Sequence, residues 1–376
     1  MWARESAGLS LADAARAIGL SGVNAATRLE EMEAGQRDPS RRQLAEMAKK
    51  YRRPLLTFYL PEPPEPGRRT HDFRTLPHGE AGSEAVLDAL VRDVKARQAL
   101  VRSALEDAEE DEPLPFVGSV QPGQGARALA DAMRRTLEFD LAEYRAASTI
   151  DEAFRILRDA VERAGVLVIL KGNLGHHTSN LSPSVFRGFA IADPVAPFVV
   201  INETDSRSAW SFTLLHELAH VFLGESGISG YDSEQRVERL CDEAAGCFLL
   251  QQRELQGIRA QGVRLDDLVE EVRAFAKPRK VSPKMVAYNM LRAGIVSGAI
   301  YRRLADRFDA DRLEHPRQAA GGADYYVVRR HRVGRGLIRL VDRLVAGGSL
   351  TATKAGKVLG VRPTAVDRMT ESVRVA

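Results

Sequence analysis

The segment FTLLHELAHVFLGESG, residues 212–227, restricts the possible fold more than any other stretch of the chain. Its apolar positions Phe212, Leu215, Ala219 and Phe222 recur at helical spacing, so one stripe of the helix must be buried in a core. His216 and His220 stand four residues apart and share one helical face, with Glu217 flanking the first. Two neutral imidazoles placed this way suit a zinc ion. Zinc binds histidine nitrogen at about 2.0–2.1 Å and, in catalytic sites, takes three protein ligands plus a water. The pattern therefore predicts a second element that brings a third ligand to the same face.

The next helical stretch, SEQRVERLCDEAAGCFLL (233–250), offers that ligand. Glu238 lies 18 residues past His220, and Asp242 one helical turn beyond. On a following antiparallel helix Glu238 completes a His₂Glu set, with Glu234 and Glu243 as the alternatives. Asp242 is placed to accept the second N–H of a ligand histidine and so fix its tautomer. Ala244, Ala245 and Leu249 allow the two helices to approach closely. A bound Zn²⁺ acidifies a water and polarises a carbonyl, while Glu217 accepts the proton and passes it to a leaving amine, which is peptide-bond hydrolysis. Tyr231, His176, His177 and Arg187 are the candidates for stabilising the oxyanion.

Upstream, GVLVILKG (165–172), FRGFAIAD (186–193) and PFVVIN (197–202) predict three short strands. FRGFAIAD alternates apolar and polar residues. It is either an edge strand able to hold an extended peptide or an ordinary internal strand. Helices are expected over roughly 83–110 and 150–164 and through most of the chain after residue 231. Near the N-terminus Ser10 and Ser40 open helices, and Gly19 and Gly35 close them. Four prolines in LPEPPEPGRR (60–69) then break regular structure. The expected division is 1–60, a linker 61–82, a helical connector 83–145, the metal-site domain 146–310 and a C-terminal helical module 311–376.

With 376 residues, 44% of them hydrophobic, the chain can bury a substantial core and is expected to form two or three domains. No segment approaches about 18 consecutive apolar residues, and MWARESAGLS holds no signal-like run, so no membrane association and a cytosolic location are expected. Cys241 and Cys247 are the only cysteines, which excludes a disulfide framework and a tetrathiolate metal site. Both fall on the Glu238 helix and read as buried structural thiols. The net charge is only +3. It is concentrated in residues 324–376, where 11 Arg/Lys face 4 Asp/Glu, whereas residues 1–66 carry 10 and 9.

FTLLHELAHVFLGESG and VERLCDEAAGCFLL, preceded by FRGFAIADPVAPFVVINETD, resemble the ImmA/IrrE family of zinc metallopeptidases over roughly residues 150–300. The resemblance implies a compact gluzincin-type α+β domain that cleaves a helix-turn-helix repressor and so induces prophage, mobile-element or stress genes. It assigns His216 and His220 to the family's histidine ligands, Glu217 to its general base and Glu238 to its acidic ligand. Asp242 stands where the family usually has Asn, keeping a hydrogen-bond acceptor, and Gln251 where it often has Pro. THDFRTLP (70–77) recurs in long members.

Residues 1–60 resemble an XRE-type helix-turn-helix in GLSLADAARAIGLS, EAGQRDPS and LAEMAKKY. The Ser21–Glu33 stretch is about one turn longer than that pattern and carries Glu30, Glu31 and Glu33, which suits a protein partner better than phosphate. The basic TKAGKVLGVRPTAVDRM (353–369) also has helix-turn-helix character and is the better electrostatic candidate for DNA. The expected protein is thus a predominantly helical α+β zinc endopeptidase flanked by helical modules, with a repressor as substrate. The alternative is a DNA-binding regulator or antitoxin-like module whose zinc site is structural or sensory. Glu217, which a structural site does not need, favours the first.

Overall fold

A computed structural model describes residues 1–63, 83–175, 179–225, 231–258, 260, 262–314 and 324–374. THDFRTLP, most of the proline linker, His176 and His177 lie outside the described residues. The chain divides into two units, one of residues 1–94 with 173–186, the other of 95–172 with 187–376.

The first unit begins with four helices, α1 (Trp2–Glu5), α2 (Leu11–Ala17), α3 (Ala25–Glu33) and α4 (Arg41–Lys50). The Ser10 hydroxyl accepts the Asp13 N–H at the start of α2, and Ser40 and Gln43 form a reciprocal capping box on α4. Ala14, Ala15, Ile18, Leu29, Met47 and Tyr51 make a small core. Two of the three acids expected to mark an exposed face on α3 have other work. The Arg4 guanidinium donates to both Glu33 oxygens, at 2.9 and 3.0 Å, and Arg37 pairs with Glu31 at 3.0 Å. Of the three, only Glu30 is exposed.

The long helix α5 (Ser83–Asp107) runs through the unit boundary. The second unit continues with α6 (Gly125–Leu137), α7 (Leu141–Ala146) and α8 (Ile150–Arg163), the strands β1 (Leu167–Leu170), β2 (Gly188–Ile191) and β3 (Phe198–Ile201), then α9 (Arg207–Leu223) and α10 (Tyr231–Leu249). It closes with α11 (Leu265–Ala276), α12 (Pro283–Arg292), α13 (Gly298–Glu314), α14 (Tyr325–Val333), α15 (Arg335–Ala346), α16 (Ala352–Leu359) and α17 (Val366–Arg374). The result is a mostly helical α+β architecture with a three-stranded sheet.

The sheet order is β1-β3-β2, with β1 parallel and β2 antiparallel to β3. FRGFAIAD therefore supplies an edge strand among the described residues. Val168, Leu170, Ala190, Val199 and Ile201 turn one face of the sheet into the main core. Phe154 of α8 meets Trp210 of α9 edge to face at 5.2 Å, and Phe116 packs on Phe222 at 5.0 Å.

The amphipathic stripe expected of α9 is only part of its burial. Trp210, Leu214, Leu218 and Val221 are buried as completely as Leu215, Ala219 and Phe222, so the helix is a core element enclosed nearly all round. Its C-terminal carbonyls are capped from outside: Gly118 N–H donates to the Val221 oxygen and Val120 N–H to that of Phe222, both at 3.1 Å. Gly224, at φ +68°, ends the helix, and a Cβ there would sit 2.8 Å from the Gly118 Cα.

Part of the basic surplus of the C-terminal helices is engaged within the fold. Arg329 donates to the Leu359 and Gly360 carbonyls at the end of α16, Arg332 pairs with Glu203, Arg343 with Glu110 and Arg374 with Asp342. Arg368 lies 3.9 Å over the Tyr326 ring. His331 is pushed down to about 4 by burial and by its neighbours Arg158 and Arg207, so it adds no charge near neutral pH. No helix among the described residues is long and apolar enough to cross a membrane.

Candidate metal centre

Two i, i+4 pairs face each other across α9 and α10. The Nε2 atoms of His216 and His220 are 3.2 Å apart, and Glu238 places one carboxylate oxygen 3.4 Å from the first and the other 3.5 Å from the second. A tetrahedral ion with bonds of about 2.05 Å needs donors about 3.3 Å apart, which the two imidazole nitrogens meet, while Glu238 brings one oxygen of its carboxylate toward each of them. The side chains of His216, His220 and Glu238 form the group of potential ligands found among the described residues. Of the rival third ligands, Glu243 is turned to Arg292 at 2.5 Å, and the Glu234 side chain lies outside the described ones.

The close approach of the helices follows from their small residues. Ala244 and Ala245 of α10 are fully buried, and Gly246 lies against Asn289 of α12, where an added Cβ would sit 3.1 Å from the amide oxygen. Asp242 Oδ1 sits 2.8 Å from His216 Nδ1, the ring nitrogen other than the one beside His220 and Glu238. Burial opposes charge on His216, but Asp242, Glu238 and Glu217 overcome it and raise the imidazole to about 10. So many carboxylates around two imidazoles favour a cation at this point. Replacing Asp242 with Ala is expected to weaken metal affinity by about 10–100-fold, while Asp242→Asn retains most of it; competition against a chromogenic chelator reads both.

Glu217 is 8% exposed and lies under the first residue of the edge strand. A Cβ on Gly188 would come within 2.8 Å of both Glu217 Oε1 and Thr213 Cγ2. Glycine is therefore required where β2 crosses α9. Gly188→Val is expected to displace the Glu217 carboxylate and lower turnover of a peptide substrate by about 10²-fold while metal content stays unchanged, which elemental analysis alongside kinetics measures. Sequence spacing did not disclose this contact, because it joins residues from two elements; an unexplained glycine in a strand was its only signal.

The oxyanion candidates fare unequally. Arg187 is 55% exposed and directs its guanidinium to Asp205, 4.0 Å away. Tyr231 opens α10, but its side chain lies outside the described ones, as do both residues of the His176–His177 pair. Tyr288 and Tyr301, with rings 6.0 Å apart, are within electrostatic reach of Asp242; burial raises both phenols, followed by the charge of Asp242 for Tyr288 and by those of Asp309 and then Asp242 for Tyr301. Neither was apparent from the motif. Cys241 is buried, and burial together with the charges of Glu238, Glu217, Asp242 and Glu225 holds its thiol well above the usual range. It is therefore a neutral packing group, and both cysteines are free.

The helix pair thus gathers three potential metal ligands, with Glu217 beside them under an edge strand. Residues 161–291, about a third of the chain, match the family model Peptidase_M78, described as the IrrE N-terminal-like domain. The matched segment, from the end of α8 to α12, contains all three potential ligands and Glu217, and this third of the chain is similar to a domain of a metallopeptidase family. No curated protein and no solved structure matches the chain.

Proposed function

We propose that the protein is a zinc-dependent endopeptidase that cleaves a helix-turn-helix transcriptional repressor. The observation that carries this reading is the 3.2–3.5 Å spacing of the His216, His220 and Glu238 donors. His216, His220 and Glu238 would hold the ion, with Asp242 orienting His216. The ion supplies Lewis acidity toward a water and the scissile carbonyl when it is bound. Glu217 takes the proton of that water and returns it to the leaving amine. The substrate would add as an extended strand beside β2, the edge strand among the described residues, where Gly188 lies against Glu217.

The helical modules at either end select the repressor or the DNA it occupies. Lys354, Lys357 and Arg362, whose side chains have no ion-pair partner among the described residues, are the cations of the C-terminal helix pair left for phosphate. Incubating the zinc-loaded chain with a repressor encoded beside it is expected to yield two fragments, and none after chelation. A repressor that stays whole with the loaded chain would remove it as the substrate.

A further inference from the structure

We infer that a second site, separate from the His216 cluster, binds a small organic anion with an apolar body. A cavity of about 530 Å³ opens where the end of α5, the C-terminal end of α8, the start of β1 and α15 meet. Small-molecule sites typically enclose about 300–1,000 Å³. Its apolar lining is Leu105, Leu114, Leu167, Val195, Ala196 and Leu340. The lining also carries charges of both signs, and their pairing decides which ligand fits.

Four of the charged groups are engaged internally. Arg343 pairs with Glu110, Asp159 with Arg155 at 3.2 Å, and Glu162 with Arg158 and the Gly336 N–H. What remains is Arg163 on α8, Arg335 and Arg339 one turn apart on α15, and one carboxylate, Glu112. The three guanidiniums have no ion-pair partner among the described residues, so the cavity lining combines apolar side chains with a surplus of positive charge. Planar five-donor heads of this kind select carboxylate, sulfonate or phosphate. A bare inorganic ion would leave the apolar lining uncovered. An uncharged apolar molecule would leave the arginines unanswered.

The site is tested on the full chain with 1-anilinonaphthalene-8-sulfonate, which joins an apolar ring system to one anionic group, and with the uncharged N-phenyl-1-naphthylamine, both followed by fluorescence titration. Saturable one-to-one binding of the sulfonate is expected, about tenfold tighter than the neutral amine. Arg163→Gln, Arg335→Gln and Arg339→Gln should each weaken it about tenfold, the loss of one charge-assisted contact. Glu112→Gln should strengthen it. All four residues are exposed, and coincident thermal melts establish that the variants are folded. Equal affinity for the neutral amine, or sulfonate binding that is unchanged in the three arginine variants, would overturn the inference.

Discussion

Replacing Glu217 with Gln is expected to leave one zinc ion bound per chain and to lower repressor cleavage by about 10²–10⁴-fold, the usual contribution of a positioned general base. The substitution preserves shape, so the Gly188 crossing above it stays filled and the facing helices keep their spacing. It removes only the group that accepts a proton. The comparison is informative because the alternative, a structural or sensory zinc site, predicts no loss of any reaction. Single-turnover cleavage with metal content measured on the same sample separates the two. Undiminished cleavage by the Gln variant would exclude Glu217 from the chemistry, whatever the metal does.

Arg158→Met is expected to destabilise the second unit by about 3–5 kcal/mol, the typical result of leaving one partner of a buried ion pair alone. Arg158 is 5% exposed. It donates to Glu162 at 3.0 Å and to the His331 carbonyl at 2.6 Å, and also to the carbonyl of Val168 in β1. Glu162 in turn accepts the Gly336 N–H at 2.7 Å, so the pair ties α8 and β1 to the start of α15. Burial already raises the Glu162 carboxyl, with Arg158 the main opposing influence. A group whose folded pKa is raised stabilises the fold at low pH and loses that contribution as pH rises through the folded value. The penalty for Arg158→Met should therefore be larger at pH 8 than at pH 5. Urea unfolding at the two pH values measures it, and a penalty below about 1 kcal/mol at both would show that the pair is not essential to the docking.

The local features of the centre were legible in the sequence. His216 and His220 announce a shared helical face, Glu238 and Asp242 repeat the same spacing one helix later, and three β-rich runs became three strands. Each of these depends on periodicity within one element. What depends on how elements meet was not legible. Arg158 and Glu162 stand four residues apart on α8, and nothing in that spacing discloses that both are buried and tied to the start of α15. The C-terminal charge surplus gave a count of cations but not their partners: Arg329 caps carbonyls while Arg332, Arg343 and Arg374 pair with carboxylates. Glu33 appeared as part of an acidic face and is held by Arg4. Composition records how many charges a segment carries; only packing assigns their partners.

The central claim is that one divalent ion is held by His216, His220 and Glu238, with a coordination position left open for water. Anomalous diffraction at the zinc edge from crystals of the zinc-loaded chain tests it most directly. The expected result is a single peak about 2.0–2.2 Å from His216 Nε2, His220 Nε2 and a Glu238 oxygen, with a water as the remaining ligand. A peak elsewhere, or a fourth protein side chain closing the coordination sphere, would contradict it.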